Sequence, residues 1–226
     1  MVREAEEVGG RYEIPALDFG TLPQGERRDA AESRRRMLDV ARELFEERGV
    51  DLVSMHEIGR AAGVGQGTLY RRYEHKGVVL CSALLFESIE RLYEGVRART
   101  EKGDGAALIQ LERLIDDLVA FNEENAPLLG AVRDAAGGER RMEMYRNPFY
   151  RWLRATVTLL LRRAIDEEDV APDLDIEYAT DFVLAPLNID LYLFQRHELG
   201  MGPARITIVL RGLLLDGFSS RPATDV

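Results

Sequence analysis

The first sustained apolar pattern in the chain is Met37, Leu38, Ala41, Leu44 and Phe45, spaced three and four residues apart. At about 100° per residue these positions form one stripe of a helix and leave Arg34, Arg35, Arg42 and Glu46 to solvent. The pattern predicts a helix that opens near Glu32 with Ser33 as its cap and stops at Gly49, a residue suited to a left-handed helix end. A shorter helix follows. Ser54 and Glu57 stand at capping-box spacing, where each side chain satisfies a backbone N–H of the first turn. Met55, Ile58 and Ala62 give this helix an apolar face, and Gly63 ends it. Val64 and Gly65 leave room only for a tight turn before a third helix, in which Leu69 and Tyr73 share the face that packs back on Ile58 and Val64. Two short helices joined this closely must cross steeply, which is the helix-turn-helix arrangement.

Beyond Lys76 the pattern is helix interrupted by turns. The spacing predicts a helix over 78–99 with Val79, Leu84, Phe86, Ile89, Tyr93 and Val96 on its faces, then a break over 102–105. Leu108, Leu111, Leu114, Ile115, Leu118 and Phe121 continue the helical period until Asn125 and Pro127 end it; a short helix runs from Leu128 to Gly137 and Gly138. Further helices are expected over 149–165, over 176–196 with a kink at Pro186, and over 204–218. No run alternates apolar and polar residues between strand-type turns, so the expected fold class is all-α. The last two helices carry apolar residues on more than one side: Phe182, Leu184, Leu187, Ile189, Leu191, Leu193 and Phe194 in the first, and Ile206, Ile208, Val209, Leu210, Leu213, Leu214 and Leu215 in the second. Such helices must be buried on more than one side, and a second copy of the chain is the natural partner, giving a twofold four-helix interface.

Charge changes this picture in one respect. The net charge is −10, yet residues 27–76 hold eleven basic side chains against nine acidic ones, so this head is slightly positive and the rest strongly negative. That asymmetry would turn the head, not the body, toward a polyanion. Residues 1–30, with two prolines, four glycines and no helical period, read as a flexible arm whose Arg27 and Arg28 can reach a DNA backbone. Cys81 is the only cysteine, so no internal disulfide is available, and it reads as a small packed apolar residue. No apolar run is long enough for a bilayer, and the opening MVREAEEVGG lacks a basic-then-apolar leader; the expectation is a cytoplasmic protein with no membrane partner.

The candidate chemistry lies on the outward side of the third helix. Gln66, Thr68, Tyr70 and Arg71 offer an amide, a hydroxyl, a phenol and a guanidinium, the groups that reach base edges and phosphates in a major groove. Gly67 permits close approach of the two backbones. His56, His75 and His197 lie far apart, and no phosphate loop or metal spacing is present, so no enzyme, metal or cofactor is expected. A helical protein-interaction module without DNA binding is the rival, and it leaves Gln66, Thr68 and Arg71 without a task.

The stretch AAGVGQGTLYRRYEHKGVVL, residues 61–80, resembles the recognition segment of TetR-family regulators, and the resemblance extends over roughly 32–85. Gly59 and Gly65 depart from the family's usual alanine and Ser or Thr; the first should weaken its helix by about 1 kcal/mol. The resemblance implies an N-terminal three-helix DNA-binding domain with a helix-turn-helix at 31–76 and a C-terminal helical ligand-binding and dimerisation domain at 77–226. It places Gln66, Thr68, Tyr70 and Arg71 against bases or phosphates, Leu69 and Tyr73 in the packing of the helix, and Lys76 at a phosphate-contacting helix start. With Ser54, Gly65 and Gly67, the polar members of this group and Tyr73 make up the candidate DNA-binding set. The implied partners are double-stranded operator DNA, a second copy held through the last two helices, and a small-molecule effector, the protein acting as a ligand-responsive repressor. Phe121, Met142, Met144, Tyr145, Tyr150, Trp152 and Asn188 are the candidate pocket lining.

Overall fold

Seven-residue and longer stretches of the three-and-four pattern become helices, and among the described residues every regular element is helical. The computed structural model describes residues 16–17, 28–64, 78–103, 105–135 and 145–218. In chain order the helices among the described residues are α1 (Arg28–Arg48), α2 (Met55–Ala61), α3 (Val78–Lys102), α4 (Ala107–Ala135), α5 (Pro148–Asp166), α6 (Ile176–Leu184), α7 (Ile189–His197) and α8 (Pro203–Phe218). Short 3-10 turns stand at Val50–Leu52 and Ala185–Leu187. None of the described helices is long and apolar enough to cross a membrane.

Three boundaries differ from the sequence pattern. Helix α1 begins at Arg28, a turn before the expected Glu32, so Ser33 lies inside it and not at its start. Asn125 and Pro127 do not end α4, which runs unbroken to Ala135. Pro127 removes one backbone hydrogen bond, but it is exposed, where water can satisfy the freed carbonyl, while Leu118, Val119, Phe121 and Asn125 before it are buried. Burial of the flanking turns outweighs the local penalty. Pro186, by contrast, breaks its helix outright where only a kink was expected, and the 3-10 turn replaces one turn of α-helix.

The break is held by two asparagines. Asn188 restarts the chain as the N-cap of α7, its Oδ1 accepting from Asp190 N at 3.1 Å. Asn122 of α4, itself buried, donates from Nδ2 to the Leu187 carbonyl at 2.9 Å, satisfying a group that the interrupted helix leaves without a partner. Asn122→Leu should therefore cost about 1–3 kcal/mol in urea unfolding, because a buried carbonyl is left unpaired; an unchanged midpoint would assign the break to Pro186 alone.

The chain divides into two compact units, Met1–Asp18 with Arg91–Glu124 and Glu143–Val226, and Phe19–Glu90 with Asn125–Met142. The first has a core of Val96, Leu111, Leu114, Ile115, Leu118, Trp152, Val157, Leu161, Val183, Tyr192 and Ile206, drawn from α3 to α8. Leu17, within the segment read as an arm, packs against this core. The loop between α3 and α4 is fastened from α5: Arg163 Nη2 donates to the Gly105 carbonyl at 2.8 Å, and Glu167 accepts from Ala107 N at 2.7 Å, capping α4 from outside its own sequence. Glu123 of α4 accepts from Tyr192 Oη at 2.8 Å and from Arg196 Nε at 2.7 Å. The Arg196 guanidinium holds the Glu123 carboxyl below its ordinary range, and burial, with the carboxylate beside it, pushes the Tyr192 phenol up.

Candidate nucleic-acid interface and the buried aromatic cluster

The second unit is built around α1 and α2. Met37 and Ala41 on α1, Ile58 and Ala62 on α2 and Leu84 on α3 are buried, with Val40, Leu44, Phe45, Val53, Val64 and Leu128 packed beside them. The apolar stripe of α1 is thus spent on holding α2, and the polar sides of both helices remain outward. Gly49 ends α1 in a positive-φ conformation (φ +83°), with its N–H donating to Phe45 O at 2.8 Å.

Local chemistry fixes α2 at both ends. Ser54 Oγ accepts from Glu57 N at 3.3 Å while Ser54 N donates to Glu57 Oε2 at 2.9 Å, the reciprocal pair expected from the sequence. Arg48 ties this cap to α1: Nη1 donates to Glu57 Oε1 at 3.0 Å and Nη2 to the Leu52 carbonyl at 3.1 Å. At the other end Gly63 takes φ +68°, Gly63 N donates to Arg60 O at 3.2 Å, and Val64 N reaches back to Gly59 O at 2.9 Å. Those bonds define a Schellman closure, with Val64 tucked against Met37 and Ala62 as its apolar contact. The departure at Gly59 is accommodated: the residue is buried, and its carbonyl takes the closing bond.

The cap makes the unit acid-sensitive. Bonds from the Ser54 backbone and side chain, then from Arg48, draw the Glu57 carboxyl from 4.5 down to about 2. A carboxyl whose folded value is depressed contributes stability that is present above its ordinary titration range and is lost as pH falls through the folded value. The thermal stability gap between the native chain and Glu57→Ala should be full above about pH 4.5 and close toward pH 2. A gap independent of pH in circular-dichroism melts would mean that packing, not charge, accounts for it.

Of the candidate DNA-binding set, Ser54 lies exposed at the start of α2 as its cap. Gly65, Gln66, Gly67, Thr68, Tyr70, Arg71, Tyr73 and Lys76 lie outside the described residues, as does Leu69. Arg42 is committed within the protein, to Glu87 at 2.5 Å and Asp39 at 3.5 Å.

The candidate pocket residues fall into two groups in the first unit. Tyr145 and Tyr150 meet edge to face at 5.1 Å, and Asn188 Nδ2 donates to Tyr145 Oη at 3.0 Å. Asn188, expected as pocket lining, is therefore a helix cap and a partner of an exposed phenol. Phe121 and Trp152 are buried in the other group, joined through Phe149, which stands 5.4 Å from Phe121 and 5.9 Å from Trp152. Tyr93 of α3 completes it at 5.5 Å from Trp152. Met142 and Met144 lie outside the described residues. Phe149, Tyr93 and the buried Thr156 were not singled out for the pocket from sequence; a hydroxyl one turn beyond Trp152 on the apolar face of α5 was the available signal.

A row of apolar side chains is left uncovered on the last three helices of this unit. Tyr178 and Phe182 on α6, Leu191 and Phe194 on α7, and Ile208, Val209 and Leu213 on α8 are exposed, Tyr178 at 73%, Ile208 at 70% and Leu213 at 62%.

A capped short helix pinned across a longer one, closed by a glycine turn directly before a polar segment, defines the opening of a helix-turn-helix DNA-binding domain. Residues 37–80 match the family described as bacterial regulatory proteins, tetR family. An HTH-type transcriptional regulator of Staphylococcus aureus is 29% identical over 172 residues, 75% of this chain and 85% of that protein. Among solved structures, a TetR/AcrR-family transcriptional regulator from Thermobifida fusca superposes with a TM-score of 0.63 at 20% identity over 84% of this chain and all of that one. The fold is likewise similar to Thermus thermophilus FadR, a TetR-family repressor in complex with lauroyl-CoA (TM-score 0.65, 19% identity, 85% and 98% covered). A regulator from Saccharomonospora viridis in complex with choline shares it too (0.64, 16%, 84% and 100%). Residues 37–80 thus carry a match to the tetR family of bacterial regulatory proteins, and the chain as a whole is similar in sequence to HTH-type transcriptional regulators and in fold to TetR/AcrR-family structures.

Proposed function

We propose that the protein is a ligand-responsive repressor: a homodimer that occupies operator DNA through two copies of the 31–76 domain and leaves it when a small effector binds within 77–226. The observation that carries this reading is the closure of α2. Its cap, its Schellman turn and its seat on α1 fix the chain as far as Val64. A helix starting there with Leu69 and Tyr73 turned inward presents Gln66, Thr68, Tyr70 and Arg71 outward, with Gly67 at the closest approach and Lys76 on a phosphate. Ser54 contributes as the cap that orients α2.

The exposed row on α6, α7 and α8 supports the dimer. An apolar surface of this kind on a single chain is the mark of an interface. A twofold pairing of these helices buries the row of one protomer against the same row of the other. Two heads fixed at one separation match one face of DNA when their spacing is about 34–36 Å or a multiple. An effector that favours another separation weakens binding without touching the DNA surface. Similar folds hold lauroyl-CoA in one case and choline in another, which supports a small molecule as the signal.

Capture of fragmented genomic DNA at low and moderate salt tests the reading. The expected result is selective retention whose affinity falls steeply as salt rises, since each neutralised phosphate releases counterions. Salt-insensitive or absent retention would contradict it, and a reporter that falls when the gene is deleted would contradict repression.

A further inference from the structure

The buried polar side chains of the first unit are nearly all partnered. Thr100 bonds to Gln110, Asn122 to the Leu187 carbonyl, and Thr180 to Thr158. Two groups on α5 stand apart. The indole Nε1 of Trp152 and the hydroxyl Oγ1 of Thr156 are buried without a hydrogen-bond partner, in side chains exposed by only 2% and 0%. The other two such atoms, Arg97 Nε and Gln195 Oε1, belong to residues that are only partly buried.

Trp152 and Thr156 lie one turn apart, so they share a face of α5, offset by about 40° around its axis. Arg154 and Thr158 lie on another side, where they bond to Asp181 and Thr180 of α6. The face carrying the two orphaned groups is therefore not the one spent on α6, and its indole meets the rings of Tyr93 and Phe149. One face of α5 thus carries two unpartnered hydrogen-bond donors one turn apart, the indole lying against aromatic rings. The half-buried charges of this unit are already paired, Arg99 with Asp117, Glu123 with Arg196, Arg163 with Glu167, and Arg211 with Glu112 and Asp116. No charged side chain is among its fully buried residues as described, so an ionic ligand here would be desolvated without compensation.

We infer that the effector is a small neutral molecule, apolar in bulk, whose carbonyl-type oxygen accepts from Trp152 Nε1 and Thr156 Oγ1. This assignment rests on the reading of the protein as ligand-responsive. It separates this chain from relatives of the same fold that hold a choline cation or a large anionic acyl-CoA. An oxygen acceptor satisfies two donors that otherwise stay buried and unpaired, and the rings take the apolar remainder.

Trp152 is the only tryptophan, so its indole N–H gives a single, assigned-by-default resonance in the ¹⁵N-labelled full chain. Cyclohexanone and methylenecyclohexane differ only in whether oxygen or carbon ends the double bond, and serve as the probe pair. Cyclohexanone should shift the indole proton downfield in a saturable manner, and methylenecyclohexane should bind about tenfold more weakly. Thr156→Val keeps the shape, and should weaken the ketone about tenfold while leaving the alkene unchanged. Equal binding of the pair, tighter binding of cyclohexyltrimethylammonium or cyclohexanecarboxylate, or no saturable shift with the indole merely bound to water would each overturn the inference. Retention of selected genomic fragments by the same sample is read in parallel. A silent indole with DNA held removes the effector class alone, whereas a ketone-shifted indole with no DNA binding removes the regulator reading alone.

Discussion

Arg71→Ala weakens binding to selected operator DNA by about 1–3 kcal/mol, roughly five- to hundredfold, with the fold and the dimer unchanged. In the proposed third helix, spacing of about 100° per residue puts Arg71 opposite Leu69 and Tyr73, so the substitution should touch no packing position. A bidentate contact to a guanine edge accounts for a loss of this size, and discrimination between operator and random DNA falls with it. If Arg71 meets only phosphate, affinity drops uniformly across sequences and the salt dependence becomes shallower by about one counterion. Gel shifts with operator and scrambled duplexes at two salt concentrations decide between these outcomes; unchanged affinity in both would remove Arg71 from the interface.

In the proposed dimer, Leu213→Asp should leave a folded monomer. Leu213 is 62% exposed on α8 in the single chain, so the substitution leaves the core of Leu161, Val183, Tyr192 and Ile206 as it was. Within a paired apolar row, two new carboxylates related by the twofold axis would be desolvated and would repel each other, a penalty of several kcal/mol. Sedimentation should show the mass halved, with helicity retained. Operator affinity should fall further than for a single lost contact, because two heads held together bind the second half-site at high effective concentration. A dimer of native mass would place the interface elsewhere.

Much of the architecture could be read from residue spacing, and the exceptions have physical causes. The Ser54–Glu57 cap and the Gly63 stop were readable because both depend on short-range chemistry between neighbours in sequence. The helix through Pro127 was not, since what sustains it is burial of Leu118, Phe121 and Asn125 by residues remote in the chain. At Pro186 the same residue type breaks the helix, because Asn188 is at hand to cap a new one and Asn122 to take the freed carbonyl. Glu167 capping α4 from 60 residues away could not have been anticipated from either segment alone. Of the side chains expected to line a pocket, Phe121 and Trp152 stand in a buried aromatic cluster and Asn188 serves as a cap; the unpartnered Thr156 hydroxyl emerges only once its surroundings are known.

Hydroxyl-radical footprinting of the protein on a selected fragment interrogates the DNA-reading geometry most directly. Two equivalent protected patches should appear on one face of the duplex, about one helical turn or a whole multiple apart, and both should vanish with Arg71→Ala. A single patch, an asymmetric pair, or protection that persists in the variant would contradict a twofold reader built on the helix around Leu69.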